Sequence, residues 1–333
     1  MKALQIKGYG DVKSNLAFYD IEKPTIKENQ VLIEVFAAGT NPIDYKIVEG
    51  ELKRVIKLLF PARIGYDVAG VIREKGGMVK GLNIGDEVFS SAPQECRGSF
   101  AEYMAVDENM VCRKPANLNF EESASLPMVG LTTIQAFEKA TLKSGDKILI
   151  HAGSGGIGSF AIQYAKSKGA YVYTTTGTQN IDWVKALGAD RVIDYKNENY
   201  LDVVQNVDLV YDTLGGKYTE DAFNVIKNGG KVISLVGPVD DETATEMGLN
   251  GIARLYLYFK RLKITKQIKK KSAFYKLIFM KPNSQQLNTI RKLAEDVVVK
   301  PVIDKTFPFS AVIDALLYQK TGHAKGKIII KMK

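Results

Sequence analysis

Residues 151–160 read HAGSGGIGSF, directly after the apolar run KILI (147–150). Gly153, Gly155 and Gly158 give the spacing G-x-G-x-x-G, and the following SFAIQYAKSKG (159–169) has the pattern of an amphipathic helix. Strand, glycine turn and helix in that order build a cradle for phosphate. The first glycine makes the tight turn, the second lets backbone approach a pyrophosphate, and the third lets the helix pack closely on its strand. The helix N-terminus adds unsatisfied N–H groups and the positive end of its dipole. Gly153, Ser154, Gly155, Gly156, Ile157 and Gly158 are therefore the expected contacts to a dinucleotide.

The surrounding pattern agrees with that reading. Strand-like runs recur at KILIHA (147–152), YVYTTT (171–176), RVIDY (191–195), VDLVYDTLG (207–215), KVISLVG (231–237) and KLIFM (276–280), with helical stretches between them. Such alternation means βαβ units, and six runs match a doubly wound parallel sheet. Before it, KALQIK, QVLIEVFAAG, AGVIREKG, GDEVFSS and SFAEYMAV are short β-type runs closely punctuated by turn residues, which predicts a mostly β, barrel-like module. After it, SQQLNTIRKLAED and SAVIDALLYQKTG read as helices and KGKIIIKMK as a strand, a rhythm that fits a return to the first module. The fold class expected is α/β, with residues 125–281 forming the dinucleotide-binding domain and residues 1–124 with 282–333 the other.

The choice of dinucleotide depends on the end of the second strand, where a carboxylate would bind the ribose 2′-hydroxyl of NAD. Here the chain reads TTTGTQNID (174–182), and no carboxylate appears before Asp182. This favours NADPH, with Thr175, Thr176 and Asn180 as polar groups for the 2′-phosphate and Tyr195 from the next strand end. Zinc would need three ligands from Cys, His, Asp or Glu. The supply is His151, His323, Cys96 and Cys112, with no C-x₂₋₄-C pair, so no metal site is expected.

Of the 333 residues, 45% are hydrophobic and 25% charged, and no run approaches the length needed to cross a bilayer. The start MKALQIKGYGDVKS lacks the apolar region of a signal peptide, and two cysteines read as free thiols, so a cytoplasmic location is expected. The net charge of +9 is local: residues 254–276 hold nine Lys/Arg and no Asp/Glu. Leu255, Tyr258, Phe259 and Leu262 recur there at helical spacing, so the segment reads as a basic amphipathic helix, either solvated on its way to the sixth strand or lying on anionic lipid. Its aromatics Tyr256, Tyr258, Phe259, Phe274 and Tyr275 are expected in the core rather than against RNA bases, so no nucleic-acid partner is expected. The contrasting possibility is a non-enzymatic NADPH-binding protein that uses this segment to bind RNA or a membrane surface.

Taken in order, AAGTNPIDYKIVEG (37–50), GYDVAGVI (65–72), GDEVF (85–89), GSFAEYMAV (98–106), LPMVGLTTIQAF (126–137), GSGGIG (153–158), GADRVIDY (188–195), VYDTLGG (210–216) and GHAKGKIII (322–330) resemble the medium-chain dehydrogenase/reductase superfamily along essentially the whole chain. Within it the chain is similar to the zinc-free quinone oxidoreductase and 2-alkenal (enone) reductase branch. Asn41 and Tyr66 stand where zinc-dependent relatives carry a metal-binding cysteine and histidine. The resemblance implies a GroES-like catalytic domain beside a Rossmann domain, hydride transfer from NADPH to a quinone or an enone, and a homodimer. It also implies site residues. Asn41 is an amide donor near the nicotinamide or a turn residue before Pro42. Tyr45 and Tyr66 are proton donors or wall, and Asp44 is structural. Thr132, Gly215, Leu235 and Val236 line the nicotinamide. Lys327 lies near the cofactor's phosphates or on the surface.

Overall fold

Along Tyr103–Asp107 the side chains of Met104 and Val106 turn inward while their neighbours face out, the period of two that a half-buried strand requires. In the computed structural model, which describes residues 1–53 and 56–333, the chain divides into two units. One is Met1–Leu131 with Lys281–Lys333, the other Thr132–Met280.

The first unit begins with β1 (Lys2–Ile6), β2 (Leu16–Asp20), β3 (Gln30–Gly39), β4 (Ala62–Arg63), β5 (Asp67–Lys75), β6 (Glu87–Ser91), β7 (Tyr103–Asp107) and β8 (Val111–Arg113). A short helix, Pro42–Val48, follows β3 directly. Strands β2, β1 and β4 form a small antiparallel sheet, while β3 pairs antiparallel with both β5 and β7. Leu4, Ile6, Val31, Ile33, Val68, Ile72, Val88, Phe100 and Met104 share its core.

The second unit holds β9 (Lys147–Ile150), β10 (Tyr171–Thr176), β11 (Arg191–Asp194), β12 (Val207–Asp212), β13 (Ile226–Ser234) and β14 (Phe274–Leu277). They lie in the order β11-β10-β9-β12-β13-β14, and every pair is parallel. This is the doubly wound order, with its switch point between β9 and β12. Strands covered on both faces need near-continuous apolar sequence, which KILI and VDLVYD supply. The sixth strand falls earlier than the KLIFM run, because β13 offers Lys231–Ser234 as partners and the pairing ends at Leu277.

The basic segment forms two helices, Gly251–Lys260 and Leu262–Lys271, rather than one. Arg261 is drawn inward at the break: its guanidinium pairs with Asp241 and donates to the Val239 carbonyl at 3.0 Å. Of the aromatics expected in the core, only Tyr275 is buried; Tyr256, Tyr258, Phe259 and Phe274 are exposed. Among the described residues no helix is long and apolar enough to cross a membrane.

The chain then returns to the first unit. β15 (Ile303–Pro308) and β16 (Lys327–Lys331) pair in parallel, and β16 joins β3, completing a sheet that runs β15-β16-β3-β5-β6-β8 with β7 also on β3. Cys96 and Cys112 are free thiols, and burial pushes both pKa values up.

Candidate functional site

In the Thr132–Met280 unit the glycine turn leaves β9 and enters the helix Gly156–Ser167. A Cβ on Gly153 would stand 2.2 Å from Thr174 Oγ1, and one on Gly158 would stand 2.2 Å from the Ala152 carbonyl and 2.7 Å from Gly153 Cα. Neither position has room for a side chain. Gly155 differs, since a Cβ there would meet only the Ala152 oxygen at 3.4 Å. Gly155 is also the residue preceding the helix, and no side chain caps the N–H groups of the first turn. Tight at two glycines and open at the third, with uncapped donors, the turn fits a diphosphate.

Across the switch point Asp212 organises the facing loop. Its carboxylate accepts from Leu214 N at 3.0 Å, Gly215 N at 2.8 Å, Ser234 Oγ at 2.7 Å and the Thr219 hydroxyl. Thr213 Oγ1 donates to the His151 carbonyl at 3.0 Å, tying the ends of β12 and β9. Gly215, at φ +75, lies against Val236, where a Cβ would be 2.9 Å from Val236 Cγ2. Gly215 and Val236 are thus brought together, with Leu235 between Val236 and the end of β13. Thr132 is buried in this unit. His151 is fully buried against the ring edges of Tyr200 and Tyr218, and burial lowers its pKa to about 4, so the imidazole is neutral.

At the end of β10 the structure corrects part of the expected set. Thr175 and Thr176 are buried; Thr175 Oγ1 accepts from Ala152 N at 3.2 Å, so that hydroxyl serves the turn rather than an external phosphate, while Thr176 Oγ1 has no hydrogen-bond partner among the described residues. Asn180 Oδ1 accepts from the Trp183 indole at 3.2 Å. Tyr195 is 60% exposed and its hydroxyl lies beside Gly177, with exposed Lys196 next to it. Asp194 is a carboxylate beside the loop after β10, but its oxygens accept from Thr178 Oγ1 at 2.6 Å, Asn197 Nδ2 at 2.7 Å and Lys196 N at 3.1 Å.

The first unit contains a second, fully buried polar cluster. Lys327 Nζ donates to Asn41 Oδ1 at 2.6 Å, to the Thr40 carbonyl at 2.9 Å and to Asp67 Oδ2 at 3.0 Å. Asn41 Nδ2 donates to Asp67 Oδ2 at 3.0 Å, and Asp67 Oδ1 accepts from Met128 N at 2.9 Å. Lys327 is only 5% exposed with all three N–H bonds consumed, so it neither lies on the surface nor has a donor for a phosphate. The Asn41 amide is likewise held at both ends, which makes it a member of this network rather than a free donor. Asp44 Oδ2 accepts from Asn41 N at 2.7 Å, while burial raises the carboxyl pKa to about 8. Tyr66 is buried and its pKa is pushed up by burial and by the nearby Asp44 charge. Tyr45 is half-buried, and burial with Glu51 and Glu49 raises its pKa too. Among the described residues no group of three or more His, Cys, Asp or Glu is placed to hold a metal.

Sequence reading passed over Asp67, Asp212 and Lys196. A carboxylate at the start or end of an otherwise apolar strand was the signal for the first two.

The comparisons agree with the fold. Residues 27–116 match the alcohol dehydrogenase GroES-like domain, and residues 187–330 match the zinc-binding dehydrogenase family. The chain is 38% identical to the 2-methylene-furan-3-one reductase of Solanum lycopersicum over 99% of its own length and 79% of that protein. It is 36% identical, with the same coverage, to the NADPH-dependent alkenal/one oxidoreductase of Arabidopsis thaliana chloroplasts. Among solved structures, the quinone oxidoreductase of Coxiella burnetii superposes with a TM-score of 0.87 at 34% identity, covering 100% of this chain and 99% of that one. With a GroES-like first unit, a doubly wound second unit and relatives matched along nearly the whole length, the chain belongs to the medium-chain dehydrogenase/reductase superfamily of oxidoreductases.

Proposed function

We propose that this oxidoreductase is an NADPH-dependent reductase of quinones or α,β-unsaturated carbonyls that works without zinc. The observation that carries the reading is the glycine turn, closed at Gly153 and Gly158 and open at Gly155 over uncapped helix donors. The relatives named for enone, alkenal and quinone chemistry support the substrate class. When bound, the nicotinamide supplies the hydride. The chain holds the diphosphate on the helix N-terminus, and the loop Asp212–Gly215 with Val236 offers a wall at the switch point. Tyr195 and Lys196 are the groups we assign to the 2′-phosphate, since Thr174–Asn180 carry no carboxylate. Tyr45 and Tyr66, kept protonated by their surroundings, are the candidate donors to an enolate oxygen.

Zinc independence is supported by charge as well as by ligand supply. The Lys327 ammonium lies 2.6 Å from Asn41 Oδ1, and a divalent cation placed there would face a like charge in a buried site. The same reading includes a reducing, cytoplasm-like compartment and a homodimer through an edge of the six-stranded sheet. The test is an acceptor panel, 2-alkenals and quinones, with NADPH against NADH, before and after chelation. Turnover with NADPH that survives chelation is expected. Preference for NADH, loss of activity on chelation, or no turnover with any acceptor refutes it.

A further inference from the structure

The helix Gly251–Lys260 buries none of its residues. Ile252, Leu255, Tyr256 and Phe259 are 83%, 57%, 54% and 60% exposed, and their spacing of three, one and three residues places them on one helix face. A helix with an apolar stripe normally turns that stripe to the core. This one turns it to solvent. The helix that follows, Leu262–Lys271, is anchored: Ile264 and Ile268 pack into the core of the unit, and Arg261 pins the junction between the two. The exposed stripe is therefore presented from a fixed base.

Within the segment itself the charge has one sign. Of the nine Lys/Arg in residues 254–276, four are engaged with carboxylates or a backbone carbonyl: Arg261 with Asp241, Lys263 with Glu220, Lys271 with the Ile226 carbonyl, and Lys276 with Asp240, Glu242 and Glu246, while Lys260 lies over the Tyr256 ring, 5.5 Å from its centroid. The other five, Arg254, Lys260, Lys266, Lys269 and Lys270, are exposed, and no Asp or Glu lies in the segment to neutralise them.

We infer that this helix pair is a docking surface for an anionic lipid membrane, the stripe entering the headgroup boundary and the five cations meeting acidic headgroups. Apolar side chains beside unneutralised cations are the combination such a surface selects. A second copy of the chain brought to the same face would set five cations against five. A single-stranded nucleic acid would satisfy the cations and stack on Tyr256 and Phe259, but would leave Ile252 and Leu255, the aliphatic half of the stripe, without a partner. The contact is superficial and reversible, and it does not depend on which acceptor the enzyme reduces.

Flotation of the full-length protein with vesicles of phosphatidylcholine alone, or with one quarter phosphatidylserine, tests this. Binding is expected only to the phosphatidylserine vesicles and is expected to weaken as salt rises. Ile252→Ser with Phe259→Ser should abolish flotation. Replacing Lys266, Lys269 and Lys270 by Gln should reduce affinity about a hundredfold, at about fivefold per cation. All variants should keep the parent thermal transition and NADPH affinity, since every substituted side chain is exposed. No flotation, or equal flotation with both vesicles, overturns the proposal. So does a dimer that dissociates in the Ser double variant, or oligouridylate binding that survives it.

Discussion

Replacing Lys327 by Met tests whether the buried cluster of the first unit holds together by charge. Met keeps most of the length and apolar bulk of the lysine stem but removes the ammonium that serves Asn41 Oδ1, the Thr40 carbonyl and Asp67 Oδ2. Asp67 is fully buried and would retain only the Asn41 amide and Met128 N. Removing one partner of a buried pair costs about 3–5 kcal/mol, because the remaining charge is left without compensation. Against a total of roughly 5–15 kcal/mol for a typical domain, that loss is large enough to unfold a marginal unit. The assay is urea titration by far-UV circular dichroism. Trp183, the one tryptophan, lies in the Thr132–Met280 unit, so its fluorescence gives a reference from outside the cluster. The circular dichroism midpoint should fall, and a double variant with Asp67→Asn should recover part of the loss, since no bare carboxylate then remains. A single variant within about 1 kcal/mol of the parent would refute the ion pair as an organising contact.

Gly155→Ala and Gly158→Ala should separate binding from folding. The first has room and is expected to keep the melting temperature while weakening NADPH binding, whereas the second drives a Cβ to 2.2 Å from the Ala152 carbonyl and should cost about 1–3 kcal/mol in thermal unfolding. Lys196→Ala is expected to raise KM for NADPH about fivefold with KM for NADH unchanged, as a single exposed charge contact would; equal effects on both would remove Lys196 from the 2′-phosphate site. Asp44 and His151 should give opposite slopes of stability with pH. The Asp44 carboxyl, raised from 3.8 to about 8, keeps its proton where the unfolded chain loses it, so its stabilisation is complete below pH 4 and is lost as pH climbs towards 8. His151, lowered from 6.5 to about 4, destabilises as pH falls through that interval, by up to about 3 kcal/mol. Asp44→Asn should therefore raise stability at pH 8 and leave the acid-side decline in place, and an unchanged profile would show that Asp44 ionises normally.

The glycine turn was legible because its geometry is local. Gly153, Gly155 and Gly158 lie within six residues, and the strand before and helix after them supply the context. The six-stranded order followed from the same alternation. Thr175 misled because a parallel sheet covered on both faces buries successive residues, so its hydroxyl turns in to Ala152 N although the sequence places it at a polar strand end. The basic segment was read with Leu255, Tyr258, Phe259 and Leu262 as one stripe, and the break at Arg261 moved the exposed set to Ile252, Leu255, Tyr256 and Phe259. No spacing rule within one helix finds a break caused by Asp241 and Val239, some twenty residues earlier.

The Lys327 cluster was illegible for a stronger reason. Its bonds span 26, 260, 286 and 287 residues, and only the sheet order brings them together. Strands β16, β3 and β5 are neighbours, with Gly39 opposite Ile329 on one side and Asp67 on the other. Thr40 and Asn41, the next residues of the chain, therefore leave β3 between Lys327 and Asp67. The ammonium, the amide and the carboxylate meet at one end of three adjacent strands, where the helix Pro42–Val48 begins. The cluster thus fixes the direction in which that helix departs, and with it the placement of Asp44 and Tyr45 on the helix. The position that metal-dependent relatives give to a ligand is here occupied by an amide already saturated by an ion pair. On the proposed reading that the enzyme works without zinc, Lys327 supplies the positive charge at this turn from within the fold.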